Sequence, residues 1–167
     1  MQLVNLSLRT STILLRFITF IILANIMDVS SMSKYLVLQA YVAMMVYLVG
    51  FDIYSYANRE YVSGSNIKLK LFFNQSILYL ILYLLGFIIS IGYLKDTNHA
   101  IIIMGICITE HILTEIYRFF NIAGRQLHAS ILFLLRAVIP FLIFSIFCFV
   151  GQALSLDTVL IIWLLVG

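Results

Sequence analysis

Residues 109–120, TEHILTEIYRFF, place Glu110, His111, Glu115 and Arg118 within nine positions of an otherwise apolar stretch. On a helix, His111, Glu115 and Arg118 follow i, i+4, i+7 and share one face, with Glu110 beside it. The spacing recurs earlier in the chain, where Asp52, Tyr56 and Arg59 would line one stripe, and Arg16 and Arg136 each interrupt another apolar run. An arginine fork donates two parallel hydrogen bonds to phosphate oxygens and keeps its charge when partly buried. Carboxylates among such arginines orient them, and can carry protons where burial raises their pKa. The chemistry on offer is capture of an anionic head group.

The elements that must hold these groups are set by the solvent. Hydrophobic residues make up 63% of the 167 and charged residues 10%, against about 25% charged in an ordinary soluble domain. This is the composition of an integral membrane protein. A membrane helix needs about 20 mostly apolar residues, and five stretches supply them: Ser11 to Ile26, Tyr35 to Tyr54, Leu71 to Tyr93, His99 to Phe120 and Ala129 to Val150. A sixth begins near Leu156, and its run from Thr158 to Val166 would rise only about 14 Å, half the core thickness. The expected fold is all-α: a polytopic transmembrane bundle of five full spans plus a truncated sixth, one membrane domain over residues 1–167. Such a chain is expected to be a fragment, a truncated product, or one that needs a second polypeptide to complete its last span.

Lys and Arg counted on alternate sides put Arg9, Arg59, Lys68, Lys70, Arg118 and Arg125 with the N-terminus, against Lys34 and Lys95 opposite. The positive-inside rule then predicts a multi-pass membrane protein with a cytoplasmic N-terminus. The extended loop from Ser55 to Lys70 mixes tyrosines with basic residues, as an amphipathic segment at the interface would, or as a plain positive loop does. On this layout Arg16 lies about 9 Å into its helix from the inner end, Glu115 at a similar depth and Arg136 slightly deeper. Each such charge costs a few kcal/mol at a helix centre, so partners or a wet cavity are expected. Ion pairs that lock packing, with Arg16 snorkelling to head groups, are the plainer reading; a water-filled cavity holding an anionic head group is the sharper one.

Other chemistry finds less support. Cys107 and Cys148 lie in apolar spans without partners at metal-ligand spacing, and read as small core residues, with no metal or other cofactor expected. His111 beside Glu115 has the look of an acid/base pair, but no Ser or Cys nucleophile stands at a matching depth and no phosphate-cradling glycine loop occurs, so an enzyme is not expected. His99 and His128 fall at predicted helix ends. The net charge of +3 is ordinary for a positive-inside topology and does not imply nucleic acid.

Two segments carry a family resemblance. LVGFDIYSYANREY, residues 48–61, has a glycine, an aspartate at the end of the second span and an arginine seven positions later. EHILTEIYRFFNIAGRQLHASILFLLRAVIPF, residues 110–141, runs from two glutamates through a YR pair and a small basic turn into a helix carrying a further arginine. Both resemble the N-terminal part of bacterial polysaccharide (O-antigen or capsule) flippases of the multidrug/oligosaccharidyl-lipid/polysaccharide exporter superfamily. The resemblance implies one six-helix half of a two-bundle transporter that moves a polyprenyl-pyrophosphate-linked oligosaccharide between leaflets by alternating access. It makes Arg16, Arg59, Arg118 and Arg136 candidates for substrate contact, and Asp52, Glu110, His111 and Glu115 candidates for gating or ion coupling. The implied partners are the lipid-linked oligosaccharide, membrane lipids and a second bundle or subunit. The second bundle is missing here, so a chain like this would hold half a cavity. The alternatives are a small oligomeric carrier-binding protein, a structural or assembly subunit whose charges only join helices, and, more distantly, an acyltransferase using His111.

Overall fold

The computed structural model describes residues 2–50, 68–94 and 97–166. Apolar sequence without β-bounded breaks has one economical solution in lipid, where every backbone N–H and C=O must be satisfied inside its own segment. The described residues accordingly form six helices and no strand: α1 Gln2–Ile26, α2 Val29–Gly50, α3 Lys68–Leu94, α4 Thr97–Ile122, α5 Gln126–Val150 and α6 Leu156–Val166. The first five contain spans long and apolar enough to cross a membrane, as a multi-pass membrane protein requires, and α6 is a shorter apolar helix. Asp52 and Arg59, and the loop residues up to 67, lie outside the described residues.

Local chemistry ends each helix. Asp28 caps α2: its Oδ2 accepts the Ser31 N–H at 2.9 Å, leaving only Met27 and Asp28 between α1 and α2. Hydrogen bonds from the Ser31 side chain and backbone hold the Asp28 carboxyl below its ordinary pKa. Gly124 and Gly151 take φ of +73° and +70°. After α4, Gly124 N–H donates to Asn121 O and Arg125 N–H to Phe120 O; after α5, Gly151 N–H donates to Cys148 O and Gln152 N–H to Phe147 O. Each is a Schellman closure, whose left-handed residue favours glycine. Ser155 caps α6, its Oγ accepting the Thr158 N–H.

Two boundaries differ from expectation. α1 begins at Gln2 rather than Ser11, and α2 at Val29 rather than Tyr35. The polar residues in those extensions do not break the helix, because their side chains bond within it: the Thr10 hydroxyl donates to Leu6 O and the Ser33 hydroxyl to Ser30 O. Cys107 is buried as expected, but Cys148 is exposed, on the outward side of the last turn of α5.

The chain divides into two compact units, Met1–Gln39 with Ile112–Gly167, and Ala40–His111. In the first, α1 and α5 form the most extensive helix pair among the described helices. They run parallel. Asn5 meets Gln126 and Ser130 near one end, and Leu23 and Phe144 share a buried cluster with Met27, Leu154 and Val159 near the other. The less exposed positions of α1 include Asn5, Leu8, Thr12, Leu15, Thr19, Ile22 and Ile26, and those of α5 include Ser130, Phe133, Ala137, Pro140, Phe144 and Phe147. Both follow a three-four alternation, which is the seam of a coiled-coil-like pair. Small residues at the contact let the backbones approach: Ala129, Ser130 and Ala137 are all but fully buried. The Thr12 and Thr19 hydroxyls donate to Leu8 O and Leu15 O, so neither leaves a buried polar group unmet. Beyond the seam, Leu154 N–H donates to Ile26 O at 3.1 Å, tying the α5–α6 loop to the end of α1, and Tyr35 of α2 meets Trp163 of α6 edge-on at 5.8 Å.

In the second unit, one stripe of α3 is polar. Gln75, Tyr79, Tyr83, Gly86 and Ser90 follow one another at spacings of three or four. Ser90 Oγ donates to Gly86 O, and the Tyr41 hydroxyl of α2 reaches both Gly86 O (3.1 Å) and Ser90 Oγ (2.7 Å). Gly86 is small because Met45 fills the space a side chain would take.

Candidate functional site

The opening constellation is divided between the two units. Glu115 and Arg118 belong to the first, where their side chains form an ion pair one turn apart on α4. Arg16 of α1 lies over the ring of Phe133 on α5, 5.5 Å from its centroid, and Tyr117 of α4 meets the same ring edge-on at 4.4 Å. One turn on from Phe133 stands Arg136, half-buried. Three helices thus converge on Phe133, each carrying an arginine within a turn or two of it.

Their levels follow from the registers. α4 and α5 are antiparallel, because Tyr117 meets Phe133 and Phe120 stacks on His128 at 6.0 Å, nearer the turn that joins them. Measured from that turn, Arg118 is about 6 Å up, Glu115 and Phe133 about 10 Å, and Arg136 about 15 Å. The parallel seam brings Arg16 to the level of Arg136. From the ends of α1, Arg16 is about 21 Å from Gln2 and about 15 Å from Ile26, hence near mid-helix. Arg16 stands further along its helix than a start at Ser11 would put it, because α1 continues back to Gln2.

Charge is unequal at this site. Glu115 is the single carboxylate in the long helices of the first unit among the described residues, whose other acids, Asp28 and Asp157, cap α2 and sit in the first turn of α6. Arg16, Arg118 and Arg136 thus share the neighbourhood of Phe133 with Glu115. Pro140 adds a polar feature at the same level. It lies inside α5 and lacks the N–H that the Arg136 carbonyl would accept in a regular helix.

Glu110 and His111 belong to the second unit. His111 is 3% exposed, its Nδ1 is 2.5 Å from the Tyr83 hydroxyl, and its ring meets Tyr79 edge-on at 4.4 Å. Tyr79 is in turn bonded to Gln75. This is a packed histidine. Among the described residues no three His, Cys, Asp or Glu side chains cluster as a metal site.

Sequence reasoning missed Tyr79, Tyr83 and Phe133, which surround the charged residues. The tyrosines carried a signal, since Gln75, Tyr79 and Tyr83 recur every four residues inside an apolar span. Phe133 carried none, being one phenylalanine of 13. Comparison with protein-family models, curated proteins and solved structures finds no match to the chain.

Proposed function

We propose that this chain is the substrate-handling part of a membrane transporter that moves a polyprenyl-pyrophosphate-linked oligosaccharide across the bacterial cytoplasmic membrane for surface polysaccharide synthesis. The observation that carries the reading is the placement of Arg16, Arg118 and Arg136 on three helices around Phe133, with Glu115 paired to Arg118. A diphosphate accepts paired N–H bonds from several arginine forks at once. In this reading the N-terminus is cytoplasmic, the diphosphate enters from the inner leaflet, and Glu115 holds Arg118 until substrate competes for it. The likeness of residues 48–61 and 110–141 to polysaccharide flippases supports the same assignment.

The test is complementation. The complete reading frame is expressed in a strain lacking its polysaccharide flippase, and surface polysaccharide is measured together with membrane protein level. Arg136→Ala is expected to lower surface polysaccharide at least tenfold at unchanged protein level, with lipid-linked oligosaccharide accumulating in the inner leaflet. Full export by the Arg136→Ala protein would overturn the proposal.

A structural or assembly subunit is the second reading, favoured by the α1–α5 seam, which locks two helices without any ligand, and by the Glu115–Arg118 pair, which joins two charges within α4. Under it, Arg136→Ala lowers the amount of protein in the membrane, and polysaccharide falls only in proportion.

A further inference from the structure

The site around His111 has a use that the proposed transport chemistry leaves open. His111 is buried, and Tyr83 is placed between two acceptors on α4: the His111 ring nitrogen Nδ1 at 2.5 Å and the Cys107 carbonyl oxygen at 3.4 Å. With neutral imidazole, the Tyr83 O–H donates to Nδ1. When the ring takes a proton, Nδ1–H becomes a donor and the Tyr83 oxygen accepts it. The tyrosine proton must then turn elsewhere, and the Cys107 carbonyl is an acceptor within reach.

We propose that His111 and Tyr83 form a proton-binding site, in which the Tyr83 hydroxyl switches its donation from His111 to the Cys107 carbonyl as the ring is protonated. The proton adds to Nδ1 and no other bond is made or broken. A buried polar group is tolerated only when its hydrogen bonds are met, and here both protonation states keep the Tyr83 hydroxyl bonded as donor. Tyr79 on α3 presents its ring 4.4 Å away, an aromatic neighbour that can attract an imidazolium. On α4, Glu110 precedes His111, the Cys107 thiol lies one turn back, and Glu115 and Arg118 follow at i+4 and i+7 on the same face. Tyr79 and Tyr83 are the titratable side chains of α3 at the ring. The site lies within the second unit and stands whether or not the chain transports a lipid-linked sugar.

The experiment is histidine ring nitrogen NMR on the full chain in lipid nanodiscs, between about pH 5 and 9, the range in which histidine ordinarily changes charge. His99→Gln and His128→Gln identify the His111 signals. The expected result is a titrating His111 ring whose neutral form carries an unprotonated Nδ1. In Tyr83→Phe the ratio of protonated to neutral His111 at a given pH is expected to fall about tenfold, because the bond to the charged ring is stronger than that to the neutral one. A His111 ring whose spectrum stays constant while His99 and His128 titrate would overturn the proposal, as would an unchanged ratio in Tyr83→Phe. Should Tyr83→Phe fail to fold, tyrosine ultraviolet absorption of the unmodified chain decides the matter. A tyrosine signal that follows the His111 titration, and is lost in His111→Gln, supports the switch; a flat signal refutes it.

Discussion

Glu115 is where the balance of charge in the first unit can be tested with one substitution. Glu115→Gln keeps the size and hydrogen-bonding capacity of the side chain and removes its charge, so the first unit loses the one carboxylate of its long helices among the described residues. Glu115 and Arg118 are 24% and 18% exposed, so their attraction is neither fully screened nor fully buried. At an effective dielectric near 20, two charges about 4 Å apart attract by roughly 4 kcal/mol. Desolvation and the short i, i+3 geometry offset much of that, and a net loss of about 1–2 kcal/mol is expected for Glu115→Gln. The assay is reversible denaturation in bicelles, read by tyrosine and tryptophan fluorescence. A double-mutant cycle then identifies the cation that the carboxylate serves. If Arg118→Gln restores the stability lost in Glu115→Gln, the pair on α4 accounts for the carboxylate; if Arg136→Gln restores it, Glu115 balances the wider group. Stability unchanged within about 0.3 kcal/mol in Glu115→Gln, with no coupling to either arginine, would refute the premise that charge balance at this level matters.

Ala137→Leu, in the buried part of the α1–α5 seam, is expected to destabilise by about 1–3 kcal/mol through overpacking, whereas the same change at the outward-facing Ala24 should be near neutral; both are read in the same denaturation assay. Gly124→Ala forces a side chain into a backbone at φ +73° and is expected to cost about 1 kcal/mol, with faster amide exchange at the end of α4. The Asp28 carboxyl is held below its ordinary pKa by Ser31, so its cap is complete above the usual carboxylate range and is lost as pH falls through the lowered value. The Ser31 amide resonance should follow that titration and be pH-independent over the same window in Asp28→Asn; an amide that ignores pH in the unmodified chain would show that the cap is absent.

The membrane class, the number of long helices and the short sixth helix were legible along the chain, because length and apolarity are local properties and lipid admits only self-satisfied segments. The turn at residues 121–125 was legible too, since a glycine among polar residues after a long apolar run marks a helix end. Helix starts were read late at α1 and α2, because Ser and Thr bonded back to their own helix look the same in sequence as Ser and Thr in a loop. The seam between α1 and α5 left a trace: Asn5, Thr12, Thr19 and Ile26 recur every seven residues, as do Ser130, Ala137 and Phe144. A period shows that a helix has a preferred face, but it does not say which of the other helices that face meets.

That choice belonged to the tertiary structure. His111, Glu115 and Arg118 share a face of α4 by spacing alone, yet His111 packs against the tyrosines of α3 while Arg118 closes on Glu115. Arg16 and Arg136, 120 positions apart, come to one level because α1 and α5 pack in parallel with Asn5 held by Gln126 and Ser130. The residues that carry charge were decided by the sequence, since a carboxylate or guanidinium in an apolar run is visible without a partner. Which charges act together was decided by helix pairing and register, because these depend on long-range packing of small residues against large ones, and a linear pattern does not contain it.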